Sequence, residues 1–443
     1  MSMIHALIDV LERDERISGW QVREVAKRSH QLFLNKDREE GRRRADSVSY
    51  EVEILLTRRV KGDKESKMVT GNAKFNIDPA DLGRFEKHLD VALASAELVQ
   101  NEAYHMTEVA GIMPQVLLGD PLLEKDAEGQ ALQGAEELRA AAAKEKGVRL
   151  VAAEFFAESF RTRYFNSQGV NCLFESSLYS GEYCLLAQGP KGETEVFNAF
   201  KRRRLQDCGL AAMVAESAEK SRLRTTARLP KTGSFDVAFT GEALDHFFAW
   251  FTTQSSGAAK YNRMTQAEPG QMLAEPKNGA TPLTLWHNAL IPWAVGSYKV
   301  DPSGTPGGKK LLVEGGKLKS RLANARYAQY LKMAPTGELG NIEVEPGKEA
   351  AEALLKPSGE RPLYVLSDFS YFEPNGMTGE FSSEIRFGLE KTGKGIQVVS
   401  GGSISGLSSS AISGAQFSLE REQRERYLGP KVIRCEGMTF AGD

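Results

Sequence analysis

The spacing of apolar residues changes character near residues 228–234. Before that point, helical windows alternate with long runs of alternating polarity. Residues 5–11 read as a short helix. Residues 48–58 (VSYEVEILLTR) alternate in part, and residues 67–75 follow after the polar turn Lys61-Gly62-Asp63, so the pair predicts a β-hairpin. Asp78-Pro79-Ala80-Asp81 then reads as a helix start, with Asp78 as cap and proline at the first helical position. That helix is expected to reach about Tyr104. Residues 135–146, rich in Ala and Glu, predict a second helix ended by Gly147. Residues 148–164 and 170–187 read as strands joined through Asn166-Ser167-Gln168-Gly169, and 210–222 as a further helix.

Beyond RLPKTGS (228–234), where Pro and Gly interrupt the pattern, the texture is different. One amphipathic helix is predicted from Gly241, followed by short strands and Gly-rich turns. Residues 300–316, with Asp301, Pro302, Gly304, Pro306, Gly307 and Gly308, read as a loop. Residues 363–366, 379–389 and 395–399 look like strands. The Ser/Gly-rich stretch 400–414 brackets Ile404, Leu407 and Ile412, which makes it a packed connection rather than a flexible linker. The expected fold class is α+β with two domains. Residues 1–228 place helices on an antiparallel sheet; residues 229–443 form a mainly β domain with the one amphipathic helix.

Composition changes this picture little. The chain has 443 residues, 41% hydrophobic and 26% charged, which suits an ordinary globular protein of two domains. Its 57 basic and 59 acidic residues give a net charge of −2, so no global field favours nucleic acid or an anionic membrane. The basic runs Arg42-Arg43-Arg44 and Lys201-Arg202-Arg203-Arg204 are read as solvated turns or helix faces. The four cysteines, Cys172, Cys184, Cys208 and Cys435, make no CxxC pair and no disulfide framework, which fits a reducing compartment. The first residues lack a signal-peptide pattern, and no apolar run is long enough for a membrane span. The expected location is the cytoplasm.

Candidate chemistry concentrates in residues 240–251 (TGEALDHFFAWF). Glu242 and His246 are four apart, so a helix would place them on one face. Ala243, Leu244, Phe247, Phe248 and Phe251 would form the opposite, core-facing stripe, with Thr240 as N-cap. The run resembles a zinc-peptidase helix with one ligand missing: a first histidine would stand at position 241, which is Gly241. Glu242 and His246 therefore either line a cleft or meet solvent. His287, beside Trp286 and near Trp293, is read as part of a loop packed by its tryptophans. Cys435 is read as a buried strand cysteine, with a metal thiolate as the alternative. A second informative stretch is 374–382 (PNGMTGEFS), whose Asn375, Gly376, Thr378, Gly379, Phe381 and Ser382 are candidates for a peptide cleft; the strand around 378–384 is the candidate edge for strand addition. No GxSxG elbow, P-loop or strand-linked GxGxxG occurs.

Several of these pieces recur in order in one family. They are Asn166-Ser167-Gln168-Gly169, the GSFDV run at 233–237 leading into the Glu242 segment, DPSGTP at 301–306, LLVEGGKL at 311–318, Arg326-Tyr327-Ala328, TGEFS at 378–382 and the closing MTFAG at 438–442. Together they resemble the TldD/PmbA family, also called TldD/TldE. That resemblance implies a two-domain α+β fold and a dimer, commonly of a TldD-like and a PmbA-like (TldE-like) subunit. It implies that the TldD-like subunit binds zinc through an HExxxH helix and a later cysteine. It also implies that the pair cleaves unfolded or small peptides, leader peptides included. Carried over, the HExxxH frame falls on Gly241, Glu242, Ala243, Leu244, Asp245 and His246, with Cys435 in a context like the PmbA branch. The chain is thus expected to be the non-metal subunit, without a cofactor of its own and with zinc in its partner. Two alternatives stay open. One is a self-sufficient metallopeptidase using His246, Glu242 and either His287 or Cys435. The other is a homodimeric peptide-binding scaffold without catalysis.

Overall fold

The structure is a computed structural model that describes residues 3–61, 66–108, 113–190 and 192–443. The N-terminal part is built on a seven-stranded antiparallel sheet. After helix α1 (Met3–Arg13) come β1 (Gly19–Asn35), β2 (Arg38–Lys61) and β3 (Ser66–Ile77), then α2 (Phe85–Glu97) and the two-residue strand β4 (Asn101–Glu102). Helices α3 (Pro121–Lys125) and α4 (Ala127–Lys144) lead to β5 (Val148–Asn166), β6 (Asn171–Gly189), β7 (Gly192–Arg202) and helix α5 (Leu210–Arg224). The strand order is β4-β3-β2-β1-β5-β6-β7. Burial explains the layering. Leu32, Leu34, Phe155 and Tyr183 pack under α4 and α5, while Trp20, Val22, Tyr50 and Ile54 pack under α1 and α2.

The rest of the chain forms two further sheets around one large core. Strand β8 (Gly233–Phe239) precedes three short helices, α6 (Ala243–His246), α7 (Ala249–Gln254) and α8 (Gly257–Tyr261). Strands β9 (Leu285–Asn288), β10 (Lys309–Glu314) and β11 (Lys317–Leu318), helix α9 (Ala325–Tyr330), β12 (Asn341–Val344) and helix α10 (Ala351–Leu354) follow. The last segments are β13 (Leu363–Phe369), β14 (Glu380–Thr392), β15 (Gly395–Val399), β16 (Ser403–Leu407), α11 (Ser408–Ser413), β17 (Gln416–Phe417), β18 (Arg421–Gln423), β19 (Tyr427–Pro430) and β20 (Ile433–Ala441). One sheet runs β11-β10-β9-β12-β19-β18; the other runs β13-β8-β20-β16-β14-β15. In the latter, β13 also pairs with β14, so five of its strands close into a ring. β14 shows why a strand forms there: Phe381, Ser383, Ile385 and Phe387 are buried, and Ser382, Glu384 and Arg386 are exposed. Among the described residues no helix is long and apolar enough to cross a membrane.

The α+β architecture and the β2–β3 hairpin agree with the sequence pattern; Gly62 and Asp63 of the hairpin's turn lie outside the described residues. Several expectations need correction. The helix after Asp78 begins as a 3-10 turn (Pro79–Arg84), Asp78 makes no side-chain cap bond, and the helix stops at Glu97, because 101–102 pair with β3. Residues 300–316 are not all loop, since 309–314 pair with β9. His287 lies not in a loop but in β9, between β10 and β12. Leu407 faces outward, although Ile404 and Ile412 are buried as expected. Within the Lys201–Arg204 run, Lys201 is exposed, but Arg203 is partly buried rather than solvated. Arg203 reaches across to the C-terminal part and donates to the carbonyls of Ala294 (2.9 Å), Val295 (2.9 Å) and Ser297 (3.0 Å). Burial lowers its pKa to about 10, so it remains a cation held by backbone dipoles.

Candidate functional site

The segment expected to be one helix is broken into two short ones. Gly241 adopts φ +60°, the left-handed region, so no helix can pass through it. Thr240 is not a cap; its N–H donates to the Leu366 carbonyl (3.0 Å), tying the segment to β13. Helix α6 then lasts from Ala243 to His246. Phe248, at φ −96° and ψ 9°, separates it from α7. The apolar face is as the spacing predicted: Ala243, Leu244, Phe247, Phe248 and Phe251 are all buried. Phe247 stacks on Phe372 and Phe248 on Tyr427, which anchors the broken helix by its rings rather than by a continuous backbone ladder.

Glu242 and His246 are both solvent-accessible, but of the two only Glu242 lines a cleft. This space of about 350 Å³ lies between α5 and β7 on one side and β13 and β14 on the other. The cleft also holds Phe197, Lys220, Arg224, Asp368 and Arg386. Lys220 sits between Asp368 (3.0 Å) and Glu216 (2.9 Å), so the Asp368 carboxylate already has a partner. Desolvation in the cleft, then the charge of Asp368, raises the Glu242 pKa. Behind Glu242, Asp245 takes a forked bond from Arg424 Nε (3.0 and 3.1 Å). Burial still raises the Asp245 pKa against the pull of Arg424.

The other candidates lie elsewhere. His287 is fully buried, its Nδ1 accepts the Gly340 N–H (3.1 Å), and burial lowers its pKa to about 4. Cys435 is fully buried in β20 opposite Val237, and desolvation pushes its thiol pKa far up. Zinc needs three protein ligands around an open position. Among the described residues no three of His, Cys, Asp or Glu form a group that could hold a metal ion. Glu242, His246, His287 and Cys435 therefore do not fit a zinc centre.

The 375–382 turn is also built differently from the peptide cleft expected of it. Asn375 Oδ1 accepts the N–H groups of Met377 (2.9 Å) and Thr378 (3.0 Å). The Gly376 carbonyl is taken by Gln254 (2.9 Å), and the Gly379 carbonyl by Ser408 (2.8 Å). Gly379, at φ +77°, packs directly under the Trp250 ring, Phe381 is in the core, and Ser382 faces outward opposite Ser405. Nor is 380–384 a free edge. It pairs with β16, while on its other flank the carbonyls of Glu380 and Glu384 accept from Asn375 (2.8 Å) and Ser370 (3.1 Å). The strand edge that does face the cleft belongs to β7, which among the described residues has a neighbour on one side only. Sequence reasoning found Glu242 but missed Lys220, Arg224, Asp368 and Arg386, which reach the cleft from three separate elements. The one available signal was Asp368, an acid interrupting the apolar run of β13.

Residues 232–442 match the family model of the PmbA/TldA metallopeptidase C-terminal domain. This part of the chain thus matches that family's C-terminal domain. A likeness of fold extends over the whole chain. A protein titled a modulator of DNA gyrase from Thermotoga maritima superposes with a TM-score of 0.81 at 17% identity, over 99% of both chains. TldE from Thermococcus kodakarensis gives 0.79 at 16%, over 100% of both. A second protein titled a modulator of DNA gyrase, from Bacteroides thetaiotaomicron, gives 0.82 at 14%, over 100% of this chain and 98% of that one. No curated protein matches the chain in sequence.

Proposed function

We propose that this chain is the non-metal, TldE-like subunit of a cytoplasmic PmbA/TldD-type peptidase pair. Its role is to bind a zinc-bearing TldD-like partner and complete the cleft for an extended, unfolded or leader peptide. The observation that carries this reading is Gly241. It replaces the first histidine of an HExxxH frame, and its left-handed φ of +60° breaks the helix that such a frame needs. A chain that retained a rearranged zinc site would be expected to gather His246 and Glu242 with a third donor. Instead His287 is engaged with the Gly340 backbone and Cys435 is sealed in β20. The cleft beside Glu242 supports peptide binding, because it combines an open strand edge with apolar and charged walls, and strand addition tolerates varied sequence.

The test is co-purification with an HExxxH-bearing protein from the same genome. Light scattering on the eluted complex is expected to give the mass of a one-to-one pair. Elemental analysis is expected to find zinc in the partner alone. Stoichiometric zinc in this chain purified by itself would overturn the reading, and a homodimer that ignores the partner would favour a scaffold.

A further inference from the structure

We infer that Arg224 and Arg386 form a carboxylate-binding subsite in this cleft, selecting peptides that carry an acidic side chain or a free C-terminus. The inference rests on the peptide-cleft reading above and adds the chemistry of the ligand. Arg224 ends α5, and Arg386 projects from the outward face of β14; both line the cleft. Among the described residues neither guanidinium forms an ion pair with a carboxylate at 4 Å or less, although Asp368 and Glu384 are near enough to be felt. Arg224 uses Nη1 to hold the Glu195 carbonyl of β7 (2.6 Å), but its buried Nε has no hydrogen-bond partner. Arg386 has one long bond, from Nε to Ser370 Oγ (3.4 Å).

Two cations placed together without a bridging anion repel each other, and a buried donor without an acceptor is costly. Arg224 shows the strain: burial, then the charge of Arg386, lowers its pKa, and Asp368 and Glu384 each pull the other way less strongly. Among the described residues four acids lie in or beside the cleft; Glu195 and Glu242 line it without an ion pair to either arginine, and the other two are engaged elsewhere. Asp368 is held by Lys220, and Glu384 Oε2 accepts from Ser370 (2.9 Å). A guanidinium pair of this kind is satisfied by a planar carboxylate, which accepts forked bonds from both. The neighbouring edge of β7 and the exposed ring of Phe197 give an extended peptide somewhere to lie while its carboxylate reaches the pair.

The experiment is fluorescence anisotropy with the full chain at low salt and four labelled Val/Thr hexapeptides. One carries a central aspartate and an amidated end, one an asparagine and an amidated end, one an asparagine and a free acid end, and one a lysine and an amidated end. The aspartate amide, the free acid or both should bind about tenfold more tightly than the asparagine amide, as a charge-assisted forked bond warrants. Whichever of the two gains identifies the source of the carboxylate. Arg386→Gln should remove the preference while keeping the neutral peptide bound, and Arg386→Glu should invert it toward the lysine peptide. Arg386 is exposed, so both variants are expected to fold, and an inverted preference is not something a structural role produces. Equal binding of all four peptides by the wild type would overturn the inference and leave the peptide-cleft reading standing. Failure of every peptide to bind at about 1 mM would overturn the inference, and the same failure by the pair with its HExxxH-bearing partner would overturn the peptide-cleft reading as well.

Discussion

Gly241→Ala separates the two readings of residues 240–251 by the sign of its effect. If position 241 lay inside a helix, alanine would be the better residue, and the protein would gain about 1 kcal/mol. In the structure position 241 has φ +60°, where an L side chain costs about 1–2 kcal/mol. Packing adds little to that cost, because a Cβ at 241 would meet Ser367 Cβ at 3.5 Å, an ordinary contact. The expected result is therefore a loss of about 1–2 kcal/mol, set by the dihedral alone. For a domain of roughly 150–250 residues this corresponds to a melting point lower by about 2–8 °C. Differential scanning calorimetry of the wild type and the variant reads it directly. A variant more stable than the wild type would refute the left-handed turn, and with it the argument that the chain has lost the geometry of a metal helix. The same reasoning applies to Gly241→His. The new imidazole would sit before the helix in a strained conformation, so zinc at one equivalent is not expected by elemental analysis.

Arg203→Ala should destabilise the protein by about 2–4 kcal/mol, because three carbonyls lose a charged donor at the join between the two parts of the chain. Thermal unfolding and faster limited proteolysis would show it, and an unchanged melting point would contradict the strut. His287 and Asp301 should make opposite contributions to the pH dependence of stability. Burial lowers the His287 pKa to about 4, so it contributes stability that is lost as pH falls from about 6.5 to 4. Burial raises the Asp301 pKa to about 6, so its contribution is present at low pH and lost as pH rises from about 4 to 6. Each term is about 3 kcal/mol at most and they largely cancel. Urea titrations from pH 4 to 7 should show that, relative to the wild type, His287→Asn stability falls more as pH rises and Asp301→Asn stability rises more. Parallel curves for all three would refute the assignment.

The sequence carried those features that a local period or a turn residue determines. The apolar stripe of Leu244, Phe247, Phe248 and Phe251 was visible because burial follows 3.6-residue spacing even when the backbone breaks. The late start after Gly241 and the break at Phe248 were not, because neither a glycine nor a phenylalanine in a pattern reveals its backbone dihedrals. Strand β1 was missed because GWQVREVAKRSHQLFLN mixes charged residues into both faces, one of which packs against the C-terminal part. Strand β10 was hidden behind the Gly/Pro run before it. The false edge at 378–384 has a nonlocal cause: β16 and the 370–375 segment cover β14 from both sides, which no local window shows. For the same reason Glu242 could be named from its motif, whereas Arg224, Asp368 and Arg386 enter the cleft only once α5, β13 and β14 are assembled.

The proposal that this chain completes a peptidase cleft without supplying the metal stands or falls on peptide cleavage measured with this chain alone, an HExxxH-bearing partner alone, and the two together. Efficient cleavage is expected only from the pair, abolished by a chelator and restored by zinc. Cleavage by this chain alone at the rate of the pair would contradict the proposal.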